Sequence, residues 1–254
     1  VESSGRIDAE AGGNMYLGST GNLNLGKIKG QESRIKSGLG IYGAGSGSSI
    51  TCADLLLEAS GASIGTSEAS LAINMLANSM LTARAAEDIF LQGVAGNGRA
   101  GALNINFIFT TGEVNLSAAD IISSGSSRRE NIKARQLNIN DAGSVGSSSS
   151  YLTMDLPEDG LLYVKANGNI YIHELAGNIN LYLASSKNGD VYLKADDSIL
   201  GCADTGADVS AGNVVLKALN GEIGSSSDYF IIDTRSGGTL TAEANNDIYI
   251  NEFT

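Results

Sequence analysis

Short apolar blocks recur along this chain at a spacing of roughly 80 residues, and internal recurrence constrains a fold more than any local signal. The segment Gly61–Gly65 (Gly-Ala-Ser-Ile-Gly) returns as Gly143–Gly146 (Gly-Ser-Val-Gly) and as Gly221–Gly224 (Gly-Glu-Ile-Gly). Ile64, Val145 and Ile223 align as the centres of these segments, at nearly equal intervals. A second anchor, Met15–Leu17, Ile89–Leu91, Ile170–Ile172 and Ile248–Ile250, recurs at the same spacing, its first interval a little shorter. The block before it aligns as well: Ile7–Ala11, Leu81–Ala85, Leu162–Ala166 and Leu240–Ala244. Superrepeats then run over roughly 5–77, 78–158 and 159–235, with a partial copy over 236–254.

Within every block apolar residues alternate with variable ones, which is the period of a strand with one buried face. Gly, Asn, Asp and Ser separate the blocks and tolerate the backbone of tight corners. The chain has 33 Gly but one Pro and no Trp, so it is rich in turns without being a Pro-rich stalk. Sandwiches and barrels also use many short strands, but only a solenoid stacks like on like at a fixed superperiod. The expectation is an all-β parallel β-helix filling residues 1–254 as a single solenoid segment. At roughly 20 residues per coil the superrepeat would be about four coils. The chain would then make about 12 to 13 coils, a rod of about 60 Å at ~4.8 Å per coil. Neither end reads as a polar cap, so a stretch of a longer array is expected. The segment Leu71–Gln92, rich in Leu, Ala, Met, Arg and Glu, has helix propensity. It aligns with Phe230–Asn251, which reads as strand, so strand is expected there too.

Charge and composition exclude several functions. The formal net charge of −12 disfavours nucleic acid and anionic membranes as partners. No apolar run is long enough to cross a bilayer as a helix. Cys52 and Cys202 are too few for a disulfide scaffold, and at about 7.5 coils apart, or roughly 36 Å, they are too distant to pair within one chain. One histidine, His173, excludes a multi-histidine metal site, and no cofactor is expected. Gly43–Gly47 lacks the Lys-Ser/Thr of a phosphate loop and reads as a corner. Basic clusters at Lys27, Lys29, Arg34 and Lys36, and at Arg128, Arg129, Lys133 and Arg135, read as solvated strand faces. Carboxylates that glycoside chemistry would need in pairs occur at Asp155/Glu158/Asp159, Asp196/Asp197 and Asp204/Asp208. Each group falls where a turn is expected, and Asp is favoured in turns for its local hydrogen bonds.

The strings Gly168–Ile172 (Gly-Asn-Ile-Tyr-Ile), Gly177–Leu181 (Gly-Asn-Ile-Asn-Leu), Gly189–Ala195 (Gly-Asp-Val-Tyr-Leu-Lys-Ala) and Gly221–Ser225 (Gly-Glu-Ile-Gly-Ser) resemble the repeats of filamentous-haemagglutinin-like large exoproteins. The resemblance covers nearly the whole chain through motifs of low specificity. It implies a right-handed parallel β-helix and an extracellular or bacterial cell-surface location. It also implies a role in adhesion, aggregation or biofilm matrix, with other copies of the chain or surface glycans as partners and no membrane insertion. Two functions therefore stand: a structural and adhesive rod, which is favoured and is not an enzyme, and a carbohydrate-active β-helix such as a polysaccharide lyase or glycosidase. Alternation points Tyr16, Phe90, Tyr171 and Tyr249 outward between inward aliphatic residues. If they align on one side of the rod, about 19 Å apart at four coils per step, they form a candidate contact face. Otherwise each ring covers its neighbouring coils.

Overall fold

The structure is a computed structural model that describes residues 5–76, 79–124, 129–202 and 206–253. Every regular element among the described residues is a strand. The strands form two long parallel sheets, and the chain crosses from one to the other as it winds. The first sheet runs, in spatial order, Arg6–Glu10, Leu23–Lys29, Ser49–Cys52, Leu71–Met75, Ile89–Gly93, Glu113–Ser117, Gln136–Ala142, Leu162–Ala166, Ile179–Ser186, Val209–Ala211, Phe230–Thr234 and Ile250–Glu252. The second runs Met15–Ser19, Glu32–Ser37, Asp54–Ala59, Leu81–Ala85, Leu103–Phe109, Asp120–Ser123, Ser144–Val145, Ile170–Glu174, Val191–Ala195, Val214–Ala218 and Leu240–Ala244. Short side pieces pair off these paths, and isolated parallel bridges such as Ile41–Ile64–Ile89 and Ile199–Ile223–Ile248 continue the ladder where strands are interrupted. The result is a β-solenoid.

Alternation explains the winding. In Val191–Ala195 the residues Val191, Leu193 and Ala195 face the core, while Tyr192 and Lys194 face outward. In-register stacking then builds continuous interior columns. One runs Ile35–Leu57–Ala83–Ile108–Ile132–Met154–Glu174–Ala195–Ala218–Ala244 through ten successive coils. Each large aliphatic side chain buried this way contributes roughly 1.5–3 kcal/mol, and no coil can bury its face alone. The column is apolar except for Glu174.

Coil length departs from expectation, and it varies. The coil that registers Arg6 with Asn24 is short, and the one that registers Leu55 with Leu81 is long. Leu71 and Phe230 lie seven steps apart in the first sheet, which gives about 23 residues per coil, more than a minimal β-helix turn needs. The described chain therefore makes about 11 turns, not 12 to 13, and the rod is about 50 Å long at ~4.8 Å per turn. The extra residues lie in loops inserted within strands, as between Gly43 and Ser49 and between Gly65 and Leu71.

The same arithmetic changes the meaning of the superrepeat. The aligned blocks at Leu71 and Phe230 lie seven coils apart on the first sheet, with the aligned block at Leu152 on the second. Equivalent blocks consequently alternate between sheets: Met15–Leu17 and Ile170–Ile172 lie in the second, Ile89–Leu91 and Ile250 in the first.

One turn recurs with the same geometry at that interval. Gly65, Gly146 and Gly224 have φ of +70°, +63° and +66°. Each opens a loop closed by reciprocal backbone hydrogen bonds, Thr66 with Ala69, Ser147 with Ser150 and Ser225 with Asp228. A Cβ on these glycines would fall 2.4 Å from the Phe90 carbonyl oxygen, 2.5 Å from that of Tyr171 and 2.3 Å from that of Tyr249. Only glycine fits both the left-handed backbone and the close approach of the next coil. Gly146→Ala should therefore destabilise by about 2–3 kcal/mol in urea unfolding. Gly177→Ala, where a Cβ meets nothing within 4 Å, should change stability by less than about 1 kcal/mol. Equal effects would sink this account of the turn.

The segment Leu71–Gln92 carries strand at Leu71–Met75, Leu81–Ala85 and Ile89–Gly93, so the repeat overrides helix propensity there; residues 77 and 78 lie outside the described set. Cys52 is buried in the first sheet and Cys202 follows a strand seven steps away, about 34 Å at ~4.8 Å per step. Both thiols are free. Burial pushes the Cys52 thiol up to about 11, which makes it a poor nucleophile.

Candidate functional site

The four aromatic residues of the candidate contact face point outward, but they do not share a face. Tyr16 and Tyr171 stand on the second sheet and Phe90 on the first. Tyr249 sits on the first-sheet side, between the Ile223–Ile248 bridge and the strand Ile250–Glu252. Only Tyr16 is largely exposed, at 65%, with the Arg34 guanidinium 5.7 Å from its ring centroid. Tyr171 is stacked on Tyr192 at 4.3 Å and 8° and meets Tyr151 edge-on at 5.4 Å and 74°. Tyr249 meets Tyr229 edge-on at 5.9 Å and 81°, and its hydroxyl donates to Asp247 Oδ2 at 3.2 Å. Tyr171 and Tyr249 thus cover adjacent coils. The alternation of aligned blocks between the two sheets, which block spacing alone does not reveal, is what scatters the four.

The carboxylates are drawn together at one place and dispersed elsewhere. Asp155 pairs in register with Lys133 and forms an ion pair with it. One coil on, Glu174 is registered with Met154, and its carbonyl oxygen accepts the Asp196 N–H. Asp196 Oδ1 lies 3.1 Å from His173 Nε2. Asp155 and Asp196 therefore flank a corner occupied by Glu174, a residue that the spacing of turn carboxylates does not single out. Glu174 is completely buried. Its Oε2 accepts the Leu156 N–H at 3.0 Å and its Oε1 the Ala176 N–H at 3.2 Å. Burial, outweighing those donors, pushes its carboxyl up to about 8. Burial also lowers His173, partly offset by Asp196.

This corner has two carboxylates held by cationic or imidazole partners and one acid turned onto backbone N–H groups. Glycoside hydrolysis requires an acid and a second carboxylate opening on the same substrate cleft, whereas Glu174 faces the core. Asp208 is also buried, 2% exposed, and its Oδ2 accepts the Ile231 N–H at 2.7 Å. Asp204 lies outside the described residues. No group of three or more His, Cys, Asp or Glu side chains among the described residues is arranged to hold a metal ion.

Several members of the basic clusters stand in ladders of opposite charge. Lys29 pairs with Glu10, Lys36 with Glu58 and Arg135 with Glu113, each one coil apart. Arg128 lies outside the described residues. Exposed pairs of this kind contribute about 0–1 kcal/mol each, and they fix register more than they add stability.

No protein-family model, no curated protein and no solved structure matches this chain.

Proposed function

We propose that this chain is a rod segment of an extracellular or cell-surface bacterial protein that serves adhesion, aggregation or the formation of an extracellular matrix. The observation that carries this reading is the uninterrupted interior column through ten coils, which makes the segment one stiff body with two long outer faces. A solenoid of this kind holds whatever lies on its faces at fixed spacings, as a spacer or scaffold requires. The resemblance of its Gly-Asn/Asp-Ile/Val-x-Leu coils to filamentous-haemagglutinin-like exoproteins supports the location. The separate engagement of Asp155, Asp196 and Asp208 supports a scaffold over a carbohydrate-active enzyme.

Beads coated with the purified chain provide the test. They should clump with bacterial cells or extracted matrix, while the chain in solution leaves polysaccharides at full length. Release of new reducing or unsaturated sugar ends by the purified chain, abolished by Asp155→Asn or Asp196→Asn, would overturn the reading in favour of an enzyme.

A further inference from the structure

A shallow depression of about 310 Å³ opens at the C-terminal ends of three successive first-sheet strands, lined in part by Asp141, Lys165, Asn167, Ser185 and Lys187. Several independent features converge on it. Two β-bulges flank the strand Leu162–Ala166: one in the preceding coil between Ile139 and Ala142, the other in the following coil at Tyr182. Bulges re-aim side chains and are enriched beside functional sites. Asp141, within the first bulge, has φ of +53° and is the one non-glycine residue with positive φ among the described residues. Such backbone persists only where its surroundings hold it, and it clusters at ligand sites.

The charges in this depression are mostly cationic. Lys29, Lys36, Lys133 and Lys217 each pair with a carboxylate one coil away. Lys165 and Lys187, like Lys27 and Lys194, have no such ion pair among the described residues, and the depression brings Lys165 and Lys187 together. Tyrosines complete the surroundings. The Lys165 ammonium lies 5.3 Å from the Tyr163 ring centroid, and Tyr163 and Tyr182 are neighbours at 6.2 Å, tilted by 40°. The bulge leaves Tyr182 52% exposed.

These groups specify a ligand chemistry. Two ammonium groups without an ion-pair partner attract an anion. Asp141 in the same depression leaves a net charge of +1, which suits a single carboxylate better than a phosphate or a densely sulfated chain. Asp141, Asn167 and Ser185 offer hydrogen-bonding atoms to hydroxyls, and the exposed Tyr182 beside the half-buried Tyr163 suits the apolar C–H face of a pyranose. We propose that this depression is a subsite for a hexuronate unit of an acidic glycan. Its carboxylate lies between Lys165 and Lys187, and the neighbouring sugar rests on Tyr163 and Tyr182. The proposal deepens the adhesive reading and rests on it only for what binding accomplishes.

The test is titration of the intact chain with a galacturonate oligosaccharide, followed by calorimetry or NMR, beside a maltose oligosaccharide, a heparin oligosaccharide and an acidic peptide. The galacturonate oligomer should bind best and should weaken as salt rises. Lys165→Gln with Lys187→Gln should weaken it about tenfold or more, and Tyr182→Ser severalfold. These side chains are exposed, so the variants should melt as the parent does. Absence of galacturonate binding, equal or tighter binding of any other probe, or indifference to the double lysine change would overturn the subsite. If beads coated with the same double variant still clump cells, the failure belongs to the subsite and not to the rod.

Discussion

Asn131→Leu should lower the unfolding free energy by about 2–4 kcal/mol, although leucine is close in size and the site lies within an apolar interior. Asn131 is 1% exposed and joins three coils. Its Nδ2 donates to the Ile105 carbonyl at 3.1 Å. Its Oδ1 accepts the Thr153 N–H at 3.0 Å. Thr153, 2% exposed, also donates its hydroxyl to the Arg129 carbonyl at 2.8 Å. A leucine leaves the Thr153 N–H buried without this partner, at a cost of about 1–3 kcal/mol, and removes one of the two hydrogen bonds to the Ile105 carbonyl, which keeps the Ser124 N–H at 2.9 Å, at a further cost of about 1 kcal/mol. Because neighbouring coils in a solenoid stabilise one another, the loss should also raise hydrogen exchange in the strands Leu103–Phe109 and Leu152–Asp155. Urea unfolding with exchange on the same variant measures both. A loss under about 1 kcal/mol, no more than one ordinary hydrogen bond, would mean that the network does not hold these coils together.

The second large effect is a dependence on pH centred on Glu174. Folding raises its pKa from an ordinary carboxyl value to about 8, because burial disfavours the charge. The folded chain thus holds this proton more tightly than the unfolded chain. The stability gained is fully present below about pH 4.5 and is lost as pH rises through about 8. His173 works in the opposite direction, since its lowered pKa lets stability rise with pH near neutrality. The charged groups around the corner are the Lys133–Asp155 and His173–Asp196 pairs. Between pH 6 and 8.5 the parent should lose stability, on the order of a few kcal/mol, relative to Glu174→Gln. The difference between the two proteins cancels the titration of all other groups. Parallel pH profiles for parent and variant would show that Glu174 ionises as freely folded as unfolded.

The strand blocks, their burial alternation and their stacking were legible because each coil repeats one physical requirement: an inward aliphatic at every second position. Leu71–Gln92 shows the strength of that signal, since alignment with Phe230–Asn251 outweighed good helix formers. What the blocks could not give was the number of residues per coil. Loops inserted after Gly43 and Gly65 lengthen some coils without disturbing the alternation beside them, so aligned blocks fall on alternate sheets rather than a whole number of coils apart. That placement removed Tyr16, Phe90, Tyr171 and Tyr249 from a common face. Glu174 was hidden for a different reason. It occupies an inward strand position where the pattern calls for an aliphatic, and only the third dimension shows the backbone N–H groups it meets. The depression beside Tyr182 was hidden likewise, because Asp141, Lys165 and Lys187 come from successive coils and no spacing in the sequence joins them.

Imaging of native surface material labelled by an antibody to this chain tests the rod account most directly. Labelled filaments should show an axial repeat of about 4.8 Å, with strands perpendicular to the filament axis. Label confined to compact particles that shorten a polysaccharide, with no such repeat, would contradict it.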